Sequence, residues 1–175
     1  EVKGRDRLAY IEKLNEFLLQ RTSEGMNVAL LIDEAQNLSP QVMEQVRLLS
    51  NLETDSHKLI QIVLAGQPEL EQRLASPELR QLRQRITVRY HLPALTEREV
   101  AHYIAHRLKT AGAGDSDVMF SDKAVETVFQ YSRGIPRMIN AVCDSALMAA
   151  YVASTRIVDP PCVRRAIQHL EGKTS

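Results

Sequence analysis

Val28-Ala-Leu-Leu-Ile-Asp-Glu34 decides the fold: a continuous apolar run ends in two adjacent carboxylates. Residues 28–32 are too few for a helix and too apolar for a half-exposed strand, so they predict a strand buried on both faces of a parallel sheet. Leu59 to Leu64 repeats the pattern and stops at Ala65-Gly-Gln-Pro68, a turn signal. Between the two runs, Ser39-Pro40 marks a helix start, with Ser capping and Pro at the first helical position. That helix is expected to turn Val42, Val46 and Leu49 inward. Upstream, Leu8, Ile11, Leu14, Phe17 and Leu18 recur at helical spacing and predict an amphipathic helix over about 6–22, ended by Gly25. A short helix is expected after Pro68. Leu79, Leu82 and Ile86 sit at helical spacing ahead of a third extended segment, Thr87 to Leu92. Strands alternating with helices argue for α/β architecture with a parallel sheet.

After Leu92-Pro93 the pattern is helical throughout. Thr96-Glu-Arg-Glu99 is a capping box that opens a helix carrying Val100, Tyr103, Ile104 and Leu108 on one face. Ala111 to Asp117 is a loop. Ser121 caps a second helix to about Tyr131, which Gly134-Ile-Pro136 breaks. A long apolar helix follows from about Arg137 to Ala153. Asp159 caps a last one ending near Leu170. The reading is two parts, an α/β part over 1–93 and a four-helix lid over 94–175.

The 175 residues are 44% hydrophobic and 25% charged, as in a soluble globular protein. The formal net charge is zero, so bulk charge gives no support for a nucleic-acid or membrane partner, and no nucleic acid is expected. Cys143 and Cys162 are too few for a disulfide framework and read as small buried apolar residues, which suits a reducing compartment. No apolar stretch approaches the roughly 18 residues of a membrane span. There is no charged-then-apolar signal segment, and a start at Glu1 without Met fits a cut fragment.

Side chains at the carboxyl end of a parallel strand face the crevice where ligands bind in open α/β sheets. There Asp33 could hold magnesium through oxygen, and Glu34 could orient a water that attacks a terminal phosphate. Gln67, at the end of the neighbouring strand, could touch both that phosphate and the water. Arg80, Arg83, Arg85 and Arg89 form a basic cluster. Within it Arg83 and Arg85 are best placed to be presented across a subunit interface to developing phosphate charge. Gly134-Ile-Pro-Arg137 opens a helix with Arg137 able to project toward a phosphate. Such chemistry also needs a glycine-rich phosphate loop with a lysine, and these residues contain none. Gly172-Lys-Thr174 mimics its end, but position 167 is Ile where the pattern demands Gly. The five histidines are scattered. His102 and His106 have metal-binding spacing, yet no Glu stands between them at the zincin position.

In order, LLIDEAQNLS resembles a Walker B segment, IVLAGQPEL a sensor-1 strand, LRQLRQRITVRYHL an arginine-finger region and YSRGIPRMIN a sensor-2 turn. Together they resemble the AAA+ ATPases. The fuller wording, including RLLSNLETD, is similar to the general secretion pathway protein A (ExeA-type) family, related to ATPases of mannose-sensitive haemagglutinin pilus biogenesis and exopolysaccharide export. The resemblance implies ATP and Mg2+ as cofactors, with magnesium at Asp33, water activation at Glu34, sensor 1 at Gln67, a trans-acting Arg83 or Arg85 and sensor 2 at Arg137. It further implies a ring-like oligomer and inner-membrane secretion or pilus assembly proteins as partners. The location expected is cytoplasmic, with any membrane tether outside these residues. The family carries its phosphate loop and first strands ahead of this point, so the chain alone is expected to be inactive. In the sheet of that family the first strand lies between Leu59–Leu64 and Thr87–Leu92. Here Thr87–Leu92 is therefore expected to lack a neighbour, leaving either an open slot with exposed apolar side chains or a gap filled by another chain. A DNA-binding transposition-helper ATPase and a non-catalytic domain of the same fold are the alternatives.

Overall fold

The computed structural model describes residues 7–54, 57–114 and 117–172, with Arg7 described by its backbone alone. Asp6, at the expected start of the first helix, and Lys173 and Thr174 of the false phosphate loop lie outside these. So do two residues of the loop before Asp117. The chain divides into two compact units, Glu1–Tyr90 and His91–Ser175.

In the first unit, helix α1 (Arg7–Ser23) precedes strand β1 (Ala29–Ile32), and helix α2 (Pro40–Leu49) leads on to strand β2 (Gln61–Leu64). Two short helices follow, α3 (Glu69–Leu74) and α4 (Arg80–Arg85). The strands pair in parallel, Ala29 opposite Gln61 and Ile32 opposite Leu64. Ser39 caps α2 as its sequence predicts, its Oγ accepting from the Val42 N–H at 3.3 Å.

Two small clusters form the core of this unit. Ala35, Met43, Val46, Leu70, Leu74, Leu79 and Leu82 make one, with Ile32, Ile62, Leu64 and Ile86 against it. Leu18, Leu59 and Ile60 make the other.

Four expectations need correction. β1 is not buried on both faces: Leu31 is 66% exposed and its register neighbour Val63 50%. Only the row of Leu30, Ile32, Ile62 and Leu64 is covered, because helices pack against one side of the pair. On α2, Met43 is fully buried and Val42 is exposed, since the contact with α4 and Leu79 falls one residue further along the helix. α1 buries Leu18, while Leu8 and Phe17 stay exposed because the cluster beneath it is small. Finally, Thr87–Leu92 forms no strand; Val88 is 80% and Tyr90 82% exposed. With no adjacent strand to bond among the described residues, the segment keeps Val88, Tyr90 and Leu92 in solvent.

The second unit has helices α5 (Glu97–Thr110), α6 (Asp122–Ser132), α7 (Pro136–Val152) and α8 (Pro160–Leu170). Two-residue strands β3 (Met119–Phe120) and β4 (Ile157–Val158) pair in parallel, a departure from the all-helical expectation. They tie the approach to α6 to the approach to α8. The caps read from sequence are all present: Ser121 accepts from Ala124, Asp159 from Cys162, and Thr96 with Glu99 closes the full capping box. Thirteen buried residues from Val100 to Ala166 make one continuous core, with Ile139, Val142 and Ala146 of α7 in the middle. Cys143 and Cys162 lie in it as free thiols. Burial, helped by Asp144, pushes Cys143 up to about 12, so it stays protonated at neutral pH.

Gly134 is the tightest point of this unit. Its φ is +76°, and an added Cβ would stand 1.9 Å from the Leu95 carbonyl oxygen. The Leu95 N–H donates back to the Gly134 carbonyl at 2.9 Å. Gly134→Ala is therefore expected to cost about 2 kcal/mol or more, lowering the melting temperature by roughly 4–8 °C. A melting curve superimposable on the native one would refute the contact.

The Glu99 carboxylate accepts from the Thr96 N–H at 2.8 Å and its hydroxyl at 2.7 Å. These bonds hold Glu99 below the ordinary glutamate range. A depressed folded value gives stability that is present at neutral pH and lost as pH falls through that value. Glu99→Gln should accordingly melt below the native protein at pH 7, and the two should converge in acid. A pH-independent gap would contradict this.

Candidate functional site at the strand ends

The β1–β2 ladder continues past the strands. The Ala65 N–H donates to the Ile32 carbonyl and the Ala35 N–H to the Ala65 carbonyl, each at 2.9 Å. Ile32 and Ala35 are thus both held to residue 65, and Asp33 and Glu34 must turn the chain between them. Glu34 does so with φ 51° and ψ 35°, left-handed backbone that costs a non-glycine residue roughly 1–2 kcal/mol. The Asp33 Oδ1 accepts the Glu34 N–H at 2.8 Å. Buried Ala35 anchors the turn, and both carboxylates stand exposed on its outer side.

The turn is joined to the loop after β2 by Gln36, which sequence reasoning had not singled out. Its Nε2 donates to the Glu34 Oε2 at 2.5 Å, and its Oε1 accepts the Gln67 N–H at 3.1 Å. The Arg73 guanidinium on α3 donates to the Gln36 and Leu38 carbonyls. The signal for Gln36 in the sequence was one of two adjacent polar residues, Gln36-Asn37, just beyond the acidic pair, which fits any loop.

Asp33, Glu34 and Gln67 thus come together in the first unit. Arg83 and Arg85 lie on α4 of the same unit. The Arg83 Nη1 donates to the Ala75 carbonyl at 3.4 Å, and the Arg83 carbonyl accepts from the Arg89 Nη2 at 3.5 Å. Arg85 is exposed. Lys58, hydrogen-bonded to Glu53, holds that carboxyl below its ordinary range, and the Arg85 charge adds to the effect. Arg137 belongs to the second unit, exposed in the first turn of α7 just after the Gly134 contact.

Magnesium keeps most of its waters and takes one or two carboxylates together with substrate phosphates. One exposed Asp33 oxygen left free by the turn fits that demand. Among the described residues no cluster of three or more His, Cys, Asp or Glu could form an all-protein metal cage. No helix there is long and apolar enough to cross a membrane.

The AAA domain family matches residues 2–74. The general secretion pathway protein A of Aeromonas hydrophila is 51% identical over 138 residues, 79% of this chain. The chain belongs to the AAA+ ATPases of the general secretion pathway protein A type. It spans 25% of the length of that relative. Among solved structures, the ORC2 protein of Aeropyrum pernix superposes with a TM-score of 0.70 at 19% identity, over 97% of this chain and 45% of that one. The RuvB Holliday junction branch migration motor of Thermotoga maritima superposes with a TM-score of 0.65 at 19% identity, over 89% and 49%. These two likenesses establish the fold: a partial P-loop NTPase core followed by a helical region.

Gly66 tests the geometry of the junction. A Cβ there would lie 2.6 Å from the Gln36 Oε1 and 3.2 Å from the Leu70 Cδ2. The nearer atom ends a flexible side chain, so Gly66→Ala should displace Gln36 and leave the fold in place. Hydrogen exchange at the Gln67 amide should accelerate with stability changed by less than about 1 kcal/mol. Unchanged protection of that amide would refute the junction.

Proposed function

We propose that these residues are the later part of an AAA+ ATPase module that couples ATP binding and hydrolysis to assembly or export of a secretion, pilus or polysaccharide system at the inner membrane. The observation that carries this reading is the turn at Asp33-Glu34. A glutamate is held in left-handed backbone, exposed, beside the Gln67 loop. Strain of that kind is retained where it serves a site. The general secretion pathway relative supports the first of the systems named.

Asp33 offers a free carboxylate oxygen to magnesium. ATP supplies the phosphoryl group whose transfer the module drives. Glu34 accepts the proton of the attacking water and aims its lone pair at the terminal phosphate. Gln67 bonds that phosphate from the neighbouring strand end. Arg137 of the helical unit takes the sensor-2 role that its motif implies, and Arg83 or Arg85 reaches the nucleotide of an adjacent subunit in a ring. The cradle of backbone amides and lysine belongs to a glycine-rich loop outside these residues. The work is cytoplasmic, with any membrane tether also outside them.

Residues 1–175 alone should therefore show no magnesium-dependent ATP turnover; turnover that disappears in Glu34→Gln would sink this part of the reading. In the full-length protein, Glu34→Gln should keep ATP binding and lower turnover at least about 100-fold, the scale of general-base loss. Equal loss of binding and turnover would contradict the assigned role.

Arg83→Ala or Arg85→Ala should be rescued by mixing with the Glu34→Gln protein, since each supplies what the other lacks. Confirmed assembly without rescue at any ratio argues against a trans arginine.

A further inference from the structure

We infer that Gln36 is a positioning residue for hydrolysis, orienting the Glu34 carboxylate from the same side chain that holds the Gln67 loop. The inference rests on the reading of Glu34 as the water-activating group.

Glu34 ends in an exposed carboxylate on a flexible stem, and a group in that state samples many rotamers. A base that must meet one water needs a fixed direction. Gln36 supplies it. Its amide nitrogen donates to the Glu34 Oε2 at 2.5 Å. The other lone pairs of that carboxylate are left for a water.

Gln36 is itself held at two points. Its Oε1 accepts the Gln67 N–H at 3.1 Å, which fixes the amide orientation and aims the nitrogen at Glu34. Its carbonyl is gripped by the Arg73 guanidinium, which also bonds the Leu38 carbonyl. Its Oε1 occupies the space that any side chain at position 66 would enter, and position 66 is Gly. A half-buried amide locked in this way transmits position, as an outer partner does for a catalytic group it touches. The two hydrogen bonds run in opposite senses, so one substitution can break the first and spare the second. Gln36→Glu keeps an acceptor for the Gln67 N–H and removes the donor to Glu34. Gln36→Met removes both at similar volume.

The test is single-turnover hydrolysis of radiolabelled ATP by the full-length protein, with steady-state kcat and KM beside it. Gln36→Glu and Gln36→Met should each lower kcat about tenfold or more while KM for magnesium-ATP stays within about twofold, the signature of an interaction made in the transition state. In a Glu34→Gln background neither should lower the single-turnover rate further, because they act through Glu34. Melting temperature and binding of a fluorescent ATP analogue, both retained, exclude misfolding. Native kcat in Gln36→Met overturns the inference, and so does an equal further fall in the Glu34→Gln background. A raised KM with unchanged kcat likewise overturns it. Glu34→Gln with undiminished kcat is a different failure: it removes the role of Glu34 and the inference with it.

Discussion

The main-chain ladder between Ala29–Ile32 and Gln61–Leu64 is the constraint from which the first unit follows. Parallel pairing puts the carboxyl ends of both strands on the same side, so the residues after Ile32 and after Leu64 leave the sheet together. The bonds from Ala65 to Ile32 and from Ala35 to Ala65 carry the pairing beyond the regular strands. Two loops that are distant in sequence are then in register without any side chain being asked to bring them together. A slip of one residue would exchange the covered row of Leu30, Ile32, Ile62 and Leu64 for the open one. It would also carry Gln67 away from Gln36.

That register explains why strain sits at Glu34. The main chain is pinned at Ile32 and again at Ala35, one residue more than a regular parallel ladder spans, and the intervening pair has to absorb the extra residue. Glycine would do this at little cost. A glutamate there spends roughly 1–2 kcal/mol of local backbone energy, a real fraction of the 5–15 kcal/mol that holds a domain together. The deficit is offset nearby by the hydrogen bonds of Asp33 Oδ1, Gln36 and Arg73 and by fully buried Ala35. The carboxylate is kept where conformational economy would have removed it.

How much was legible in the sequence follows from how local each signal is. Ser39, Thr96 with Glu99, Ser121 and Asp159 announced their caps because a cap is a contact within four residues. Helical spacing identified α5 to α8 for the same reason, and each turn-to-strand boundary at Asp33 and Gln67 was visible as an apolar run stopping. Burial was less legible. Leu31 and Val63 have the composition of residues covered on both sides, but covering depends on which elements lie above a strand, and composition does not name them. The strands β3 and β4 were hidden because a pair of residues has no period. Gln36 was hidden because its partners Glu34 and Gln67 meet through the ladder. Thr87–Leu92 alternates polar and apolar residues as a strand does, yet a strand exists only when another strand bonds it.

The two units differ in how far they complete themselves. In the second, α7 packs against α5, α6 and α8 around one continuous core, although Met148, Tyr151 and Val152 at the far end of α7 stay exposed. A two-stranded sheet, by contrast, is marginal on its own and must be covered to persist. Here it is covered on one side only, with Leu31 and Val63 left on the other and Val88 and Tyr90 in solvent beyond α4. Apolar residues alternating onto both faces are the composition of a parallel strand that is covered twice. The first unit thus carries the sequence of an inner sheet and the burial of an edge. Its strand-end turn is nevertheless formed, because the bend at Glu34 and the junction at Gln36 need only the one ladder and the one covered face. The turn and the cover over Leu31 and Val63 are separable problems, and the structure forms the first without the second.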